Sequence, residues 1–487
     1  MRNQGSGKKI TSLCIAMALL LALMAPAAAA QGAVPLGDGG LPLITVQGLN
    51  AVPLMEGDTQ VFAPTMPGVL GGAARALPGL LFRGLPGMRR ELSLAPVAQS
   101  FVPLGEALLG PLRVDVNFNR VDGGPALTAG NFSRSLYYYD AHRRGRASGY
   151  GYEWARAYGW DHVYTFTYDW RRCVFELASE LNALILQARE ESGQNRVNIA
   201  AKSMGAAVTN VWLAEYGRQN NFAHVENIVY LSPAWAGAGL MGALITGDVV
   251  LNLDNLQLQL EDAGIPSAAL SPAINLLRRT GLQYVVEHLA PYVMDIYLRD
   301  VVRYWPGAWA LVPHADFQRA RELHFPGGGT PEQQDFLARL DRYHAIQGGK
   351  QALIQSLQAA GRGFAAVSLY GVPLNTPITR GENTLWADGI IETYLTGGFP
   401  TLAPLPNFEP LTAQAVDRGH NHLSPDGVVD ASTAIFPDNT WFIRGPEHST
   451  FRPGEWPSLL ALWLLQGGAK ATVHCDPAFP QFSVWEP

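Results

Sequence analysis

The stretch RVNIAAKSMGAAVT, residues 196–209, decides the fold. A short apolar run, Val197 to Ala201, ends at Lys202-Ser203, and a run of small residues (Gly205, Ala206, Ala207) opens an apolar helical pattern. A strand, a serine on a tight turn and then a helix form a nucleophile elbow. Crowding at such a turn demands small residues two before and two after the serine. Ala201 and Gly205 fill those places. The plainer reading is a helix N-cap serine, which carries the same local pattern. The strand before and the apolar helix after favour Ser203 as a nucleophile.

Outward from this point the same rhythm repeats. LPLITVQG (41–48), HVYTFTYDW (162–170), ENIVYLSP (226–233), FAAVSLYG (364–371) and TWFIRG (440–445) read as buried strands. Between them lie helical patterns. Cys173 to about Glu190 places Val174, Leu177, Ala178, Leu181 and Leu184 on one face, Met204–Tyr216 follows the elbow, and PSLLALWLLQGG (457–468) is the last helix. Strands alternating with helices predict an α/β fold with a mostly parallel central sheet and helices on both faces. Two regions break the rhythm. Residues 62–104 are rich in Pro, Gly and Leu, and residues 235–360 carry several helical patterns that read as an inserted cap.

The bulk numbers suit one large α/β domain. The chain has 487 residues, 48% hydrophobic and 16% charged, with a net charge of −6. No lysine- or arginine-rich run is present to track phosphates, so nucleic acid is not an expected partner. Arg2, Lys8 and Lys9 precede ITSLCIAMALLLALMAP and then AAAAQ, the pattern of a secretory signal peptide cut after Ala30. The expectation is a mature domain over 31–487, secreted or periplasmic. Cys173 and Cys475 remain after such a cut, and export permits one disulfide between them without requiring it.

A nucleophilic serine needs a base and an acid, in the chain order Ser, acid, His, on loops after later strands. SPDGVVDASTAIFPDNTWFIRGPEHSTF supplies both. His448 follows the strand WFI and is the expected base. Asp426, in a D-G turn, is the expected acid, preferred over Asp430 and Asp438. An oxyanion hole needs two backbone N–H donors. Met204 supplies one, and the turn at Gly48 supplies the other from Leu49 or Asn50. His420 and His422, in RGHNH, form a histidine pair without further ligands nearby in sequence; no metal and no cofactor are assigned.

These residues resemble the lecithin:cholesterol acyltransferase and lysosomal phospholipase A2 family of α/β-hydrolases. PLITVQGLNAVPL is similar to the family's early strand and oxyanion turn, where the alignment places Asn50 as donor and more distant lipases would place Leu49. TYDWR (167–171) matches a Tyr-Asp-Trp-Arg signature, and AKSMG sits at the elbow. SLYGVPLNTP lies where the family has its segment near the acid loop, PDGVV carries the acid onto Asp426, and GPEHS carries the base onto His448. The departures are Gln47 and Ala51 where the family has Pro and Gly, Ala201 and Lys202 in place of Gly and His at the elbow, and no cysteine-closed membrane loop. The resemblance implies an α/β-hydrolase with a helical cap, and a serine lipase, phospholipase or O-acyltransferase acting on lipid acyl esters. It places a membrane-contacting region at 62–104, which reads equally as a Pro/Gly-rich crossover packed on the domain. A lipid-binding relative without turnover, or an esterase for a polymeric or soluble ester, are the competing readings. For Asp169 and Arg171 the favoured role is a buried ion pair that fixes the following helix.

Overall fold

The computed structural model describes residues 40–49, 51–62, 76, 78–129, 162–252, 254–255, 288–376, 378–379, 385–405, 407–448, 451 and 455–485. The expected signal-peptide segment, Asn50 and parts of the 62–104 and 235–360 regions lie outside these residues.

Seven strands form one parallel sheet: β1 (Leu43–Val46), β2 (Val163–Phe166), β3 (Val197–Lys202), β4 (Val225–Leu231), β5 (Gly363–Tyr370), β6 (Thr440–Arg444) and β7 (Phe482–Val484). Their order is β7-β6-β5-β4-β3-β1-β2, and each neighbouring pair is parallel. Ile44 pairs with both Tyr164 and Ile199, so β1 is flanked by β2 and β3. The fold is therefore α/β with a parallel sheet, as the alternation of strand and helix patterns predicts.

Successive residues of a strand face opposite sides, so both faces of a sheet covered by helices must be apolar. Ile44, Val46, Ile199, Ala201, Ile228, Tyr230 and Phe364 face one core, which also holds α1 (Val174–Ser192) and α2 (Met204–Trp212). Leu43, Ala200, Val229, Leu231, Ala365 and Val367 face a second core, closed by Leu460, Ala461 and Leu464 of α7 (Trp456–Leu465). In α1 the residues expected at three- and four-residue spacing are buried, joined by Ile185 and Ala188. Burying Leu177, Leu181 and Leu184 stabilises the fold by about 2 kcal/mol each. Gly193 ends this helix in the left-handed conformation at φ 67°.

The insert between β4 and β5 holds four longer described helices: α3 (Gly239–Thr246), α4 (His314–His324), α5 (Gln334–Gly348) and α6 (Lys350–Ala359). Its Trp309, Phe317, Tyr343 and Leu353 belong to the same core as α1 and α2. Gly307 is seated on the Trp170 carbonyl, where an added Cβ would lie 1.9 Å from the oxygen, and its N–H donates to the Arg171 carbonyl at 3.0 Å. The insert is thus packed into the domain at the end of the YDWR motif. The Asp169–Arg171 pair beneath it is buried and bidentate, at 3.0 and 2.6 Å, with Arg171 Nη1 donating to the Leu112 carbonyl.

Cys173 and Cys475 are both free thiols, the first buried and the second exposed. Among the described residues no helix is long and apolar enough to cross a membrane.

Candidate active site

β1 is the strand at which the chain changes direction across the sheet: β2 lies to one side of it, β3 and all later strands to the other. In open α/β sheets the loops that leave such a switch point diverge, and the crevice at the carboxyl ends of the two strands receives ligands. Here the two loops carry Gly48, after β1, and Ser203, after β3.

Ser203 has φ 52° and ψ −124°, a backbone conformation that costs a non-glycine residue roughly 1–3 kcal/mol. The surroundings hold it there. Its N–H donates to the Leu231 carbonyl at 3.1 Å, and its own carbonyl accepts from Ala234 at 2.9 Å and Ala206 at 3.1 Å. The small residues that the elbow needs are explained by contact. A Cβ on Gly205 would lie 2.4 Å from the Val46 carbonyl oxygen, so only glycine lets α2 approach the end of β1. Ala201 is fully buried beneath.

The β1 loop meets the serine directly. A Cβ on Gly48 would lie 2.9 Å from Ser203 Cβ and 3.4 Å from its Oγ. Buried Tyr168, the tyrosine of the YDWR motif, donates its hydroxyl to the Gln47 carbonyl at 2.6 Å and fixes that loop. Burial pushes the Tyr168 phenol well above its ordinary pKa, so it stays a donor. Met204 opens α2, so its backbone N–H lies in the first turn, at the positive end of the helix dipole. Leu49 is half-buried next to Gly48; Asn50 lies outside the described residues.

His448 follows β6, as expected, and is buried. Its partner is not Asp426. His448 Nδ1 lies 2.7 Å from Asp388 Oδ2, and the His448 N–H donates to the Asp388 carbonyl, also at 2.7 Å. Asp388 is fully buried, and its other oxygen accepts from the N–H groups of Ile390 and Ile391 at 3.0 and 2.7 Å. Both oxygens of this carboxylate are thus engaged, one by the histidine ring and one by the backbone. With Nδ1–H donated to Asp388, Nε2 is the ring nitrogen left to act as a base.

Asp426 is engaged elsewhere. It accepts from Ser424 Oγ at 2.6 Å and Val428 N–H at 3.1 Å, closing its own turn, and from the Tyr370 hydroxyl and Arg444 Nη1, each at 3.1 Å. The rival Asp430 caps a short turn by accepting from Ser432 N–H, and Asp438 stands before β6. The expectation of Asp426 beside the histidine is corrected to Asp388. Both aspartates sit in D-G turns in the same connection between β5 and β6, with Gly389 at φ 90° and Gly427 at φ 65°. The pattern W-A-D-G-I-I, soon after the strand FAAVSLYG, carried the same signal as P-D-G-V-V.

Lys202, beside the serine, is buried. Burial pushes its ammonium down to about 8, while the charge of Asp388 pulls it back up. The carboxylate that holds His448 therefore also acts on the residue preceding Ser203.

No family model matches the chain, and no curated protein does. Among solved structures, the crystal structure of the Tle4-Tli4 complex is similar over 68% of this chain and 74% of that one, at 12% identity and a TM-score of 0.28. An overlap of that extent carries no argument about chemistry, which rests on the sheet order and the geometry around Ser203 and His448.

Proposed function

We propose that this chain is an α/β-hydrolase of the lecithin:cholesterol acyltransferase type, an exported serine lipase, phospholipase or O-acyltransferase working through Ser203, His448 and Asp388. The observation that carries the proposal is the backbone of Ser203, held at positive φ between β3 and α2 at the switch point of the sheet. The buried His448–Asp388 pair supports the same reading from the other half of the chain.

In the proposed reaction Ser203 Oγ attacks the carbonyl carbon of an acyl ester while His448 Nε2 takes its proton. The oxyanion is held by the Met204 N–H and by a backbone N–H of the loop after Gly48, supplied by Leu49 or Asn50. Collapse breaks the ester bond, and His448 returns the proton to the leaving alcohol. The acyl-serine then passes its acyl group to water or to a second alcohol, with His448 again carrying the proton. Asp388 holds the imidazole in its tautomer and stabilises the imidazolium.

A lipid interface as the site of action is supported by the region after residue 78. Phe82 is 79% exposed and Leu92 92% exposed, and Arg83, Arg89 and Arg90, close by in sequence, are exposed too. Exposed apolar side chains and arginines in one segment suit the boundary between acyl chains and head groups.

The test offers wild type and Ser203→Ala phospholipid vesicles containing a sterol or long-chain alcohol. Ser203-dependent release of fatty acid, or formation of a new ester, is the expected result, and the ratio of the two separates hydrolysis from transfer. Absence of both products, together with no labelling of Ser203 by a fluorophosphonate in folded protein, would overturn the proposal in favour of a binding protein. Labelling with turnover of soluble esters alone would keep the serine chemistry and remove the lipid substrate.

A further inference from the structure

Far from the serine, three residues distant in sequence bring ligand atoms together. His422, Asp438 and His474 each offer one atom, all within 4.8 Å of one another. His422 Nε2 lies 3.4 Å from Asp438 Oδ1, and His474 Nε2 lies 3.6 Å from the same oxygen. Bonds of about 2.0–2.1 Å at tetrahedral angles set donor atoms about 3.4 Å apart. Two of the three separations therefore already suit a tetrahedral ion.

The tautomer of His422 strengthens this. Gln481 Nε2 donates to the carbonyls of Pro437 and Thr440 at 2.8 and 3.1 Å, so the amide oxygen must face His422. His422 Nδ1 lies 2.8 Å from that oxygen and can only donate to it. The neutral ring then presents a bare lone pair at Nε2. His422 is fully buried, and its Nε2 is left without a hydrogen-bond partner, facing a carboxylate oxygen and a second imidazole nitrogen. Asp438 is half-buried and His474 exposed, so the cluster opens to solvent on one side, and the buried acceptor of His422, aimed at two further ligand atoms, calls for a cation between them. The Gln481 bond is the outer-shell support that orients a metal-binding histidine. The ring of His420 stacks on His474 at 4.3 Å, at the rim of the cluster.

We infer that His422, Asp438 and His474 form a binding site for a zinc-class divalent ion, with a structural role. Its place in the fold gives the role. Asp438 precedes β6 and His448 follows it, so roughly 17 Å of strand separates the cluster from the candidate active site. His474 lies in the C-terminal segment, tied to the start of β6 by the Val473 N–H, which donates to the Asp438 carbonyl at 2.9 Å. An ion here clips the C-terminal segment and the long β5–β6 connection to the edge of the sheet. Three protein ligands leave the fourth position to water.

The experiment uses the full chain without a polyhistidine tag, stripped with a chelator and then given zinc chloride. One zinc per chain should survive gel filtration, and the melting temperature should rise by at least about 2 °C. His474→Ala and Asp438→Asn, both at partly exposed side chains, should lose the zinc and the shift, and Cys475→Ser should keep both. Retention of no zinc by the wild type would overturn the inference. So would zinc that survives His474→Ala or leaves with Cys475→Ser. Cobalt(II) in place of zinc gives an independent reading: a tetrahedral visible absorption is expected, and its absence counts against the site.

Discussion

His448 and Asp388 are joined twice, side chain to side chain and backbone to backbone, each at 2.7 Å. The double link makes the imidazole's position a property of two loops rather than of one flexible side chain. Asp388→Asn should lower kcat by on the order of 10³–10⁴, because an amide can hold the wrong tautomer and cannot balance an imidazolium. Asp426→Asn should leave kcat within a few-fold. Parallel steady-state kinetics on one acyl ester check the pair, and a larger loss in Asp426→Asn would refute the assignment.

Ser203 carries its strain whether or not it reacts. Ser203→Ala should remove turnover with little change in stability, since alanine keeps the Cβ. Ser203→Gly should also be inactive but more stable than Ser203→Ala by about 1 kcal/mol, because glycine accepts φ 52° freely. Urea denaturation of the two variants measures the difference.

Gly205 has no room for a side chain against the Val46 carbonyl. Gly205→Ala should cost roughly 2–4 kcal/mol and displace the serine with the helix it begins. Loss of both stability and fluorophosphonate labelling is expected. Unchanged stability would mean that α2 does not sit as close to β1 as the structure has it.

Lys202 gives a pH dependence of definite sign. Its folded pKa, about 8, lies below the ordinary lysine value of 10.5, so between those values the unfolded chain holds a proton that the folded chain has released. Stability contributed through this residue rises with pH across that window. Lys202→Met should therefore be the more stable protein at pH 7, by on the order of 1–3 kcal/mol, with the advantage shrinking towards pH 10. Chemical denaturation at the two pH values tests this.

His324 and His344 act in acid. Burial pushes both down to about 4; His324 Nε2 lies 2.8 Å from the Ile245 carbonyl and His344 Nε2 3.2 Å from that of Trp309. Each contributes stability that is whole above the unfolded value of about 6.5 and is lost as pH falls towards 4. The double variant His324→Gln, His344→Gln should flatten the fall in melting temperature over that range.

Much of the framework was legible because its signals are local. A strand buried on both faces reads as a short, mostly apolar run, and six of the seven sheet strands do so. The seventh, Phe482–Val484, is short and partly exposed and carries no such run. The serine was legible because its turn demands small neighbours. The acid was not: two D-G turns in one connection look alike, and only the tertiary structure shows that Ser424 and Arg444 capture Asp426 while Asp388 is buried against His448. The cluster of His422, Asp438 and His474 is illegible for a similar reason, since two ligands stand apart in the β5–β6 connection, the third lies in the C-terminal segment, and no fixed spacing links them.

The free thiols have a practical consequence. A domain whose described cysteines are unpaired does not depend on an oxidant to reach its fold, whatever compartment it is sent to. A chain begun at residue 31 should fold equally well in a reducing cytosol, and Cys475, exposed while Cys173 is buried, then offers a single point for attaching a spectroscopic label. A probe there would report on the C-terminal segment directly, without touching the serine.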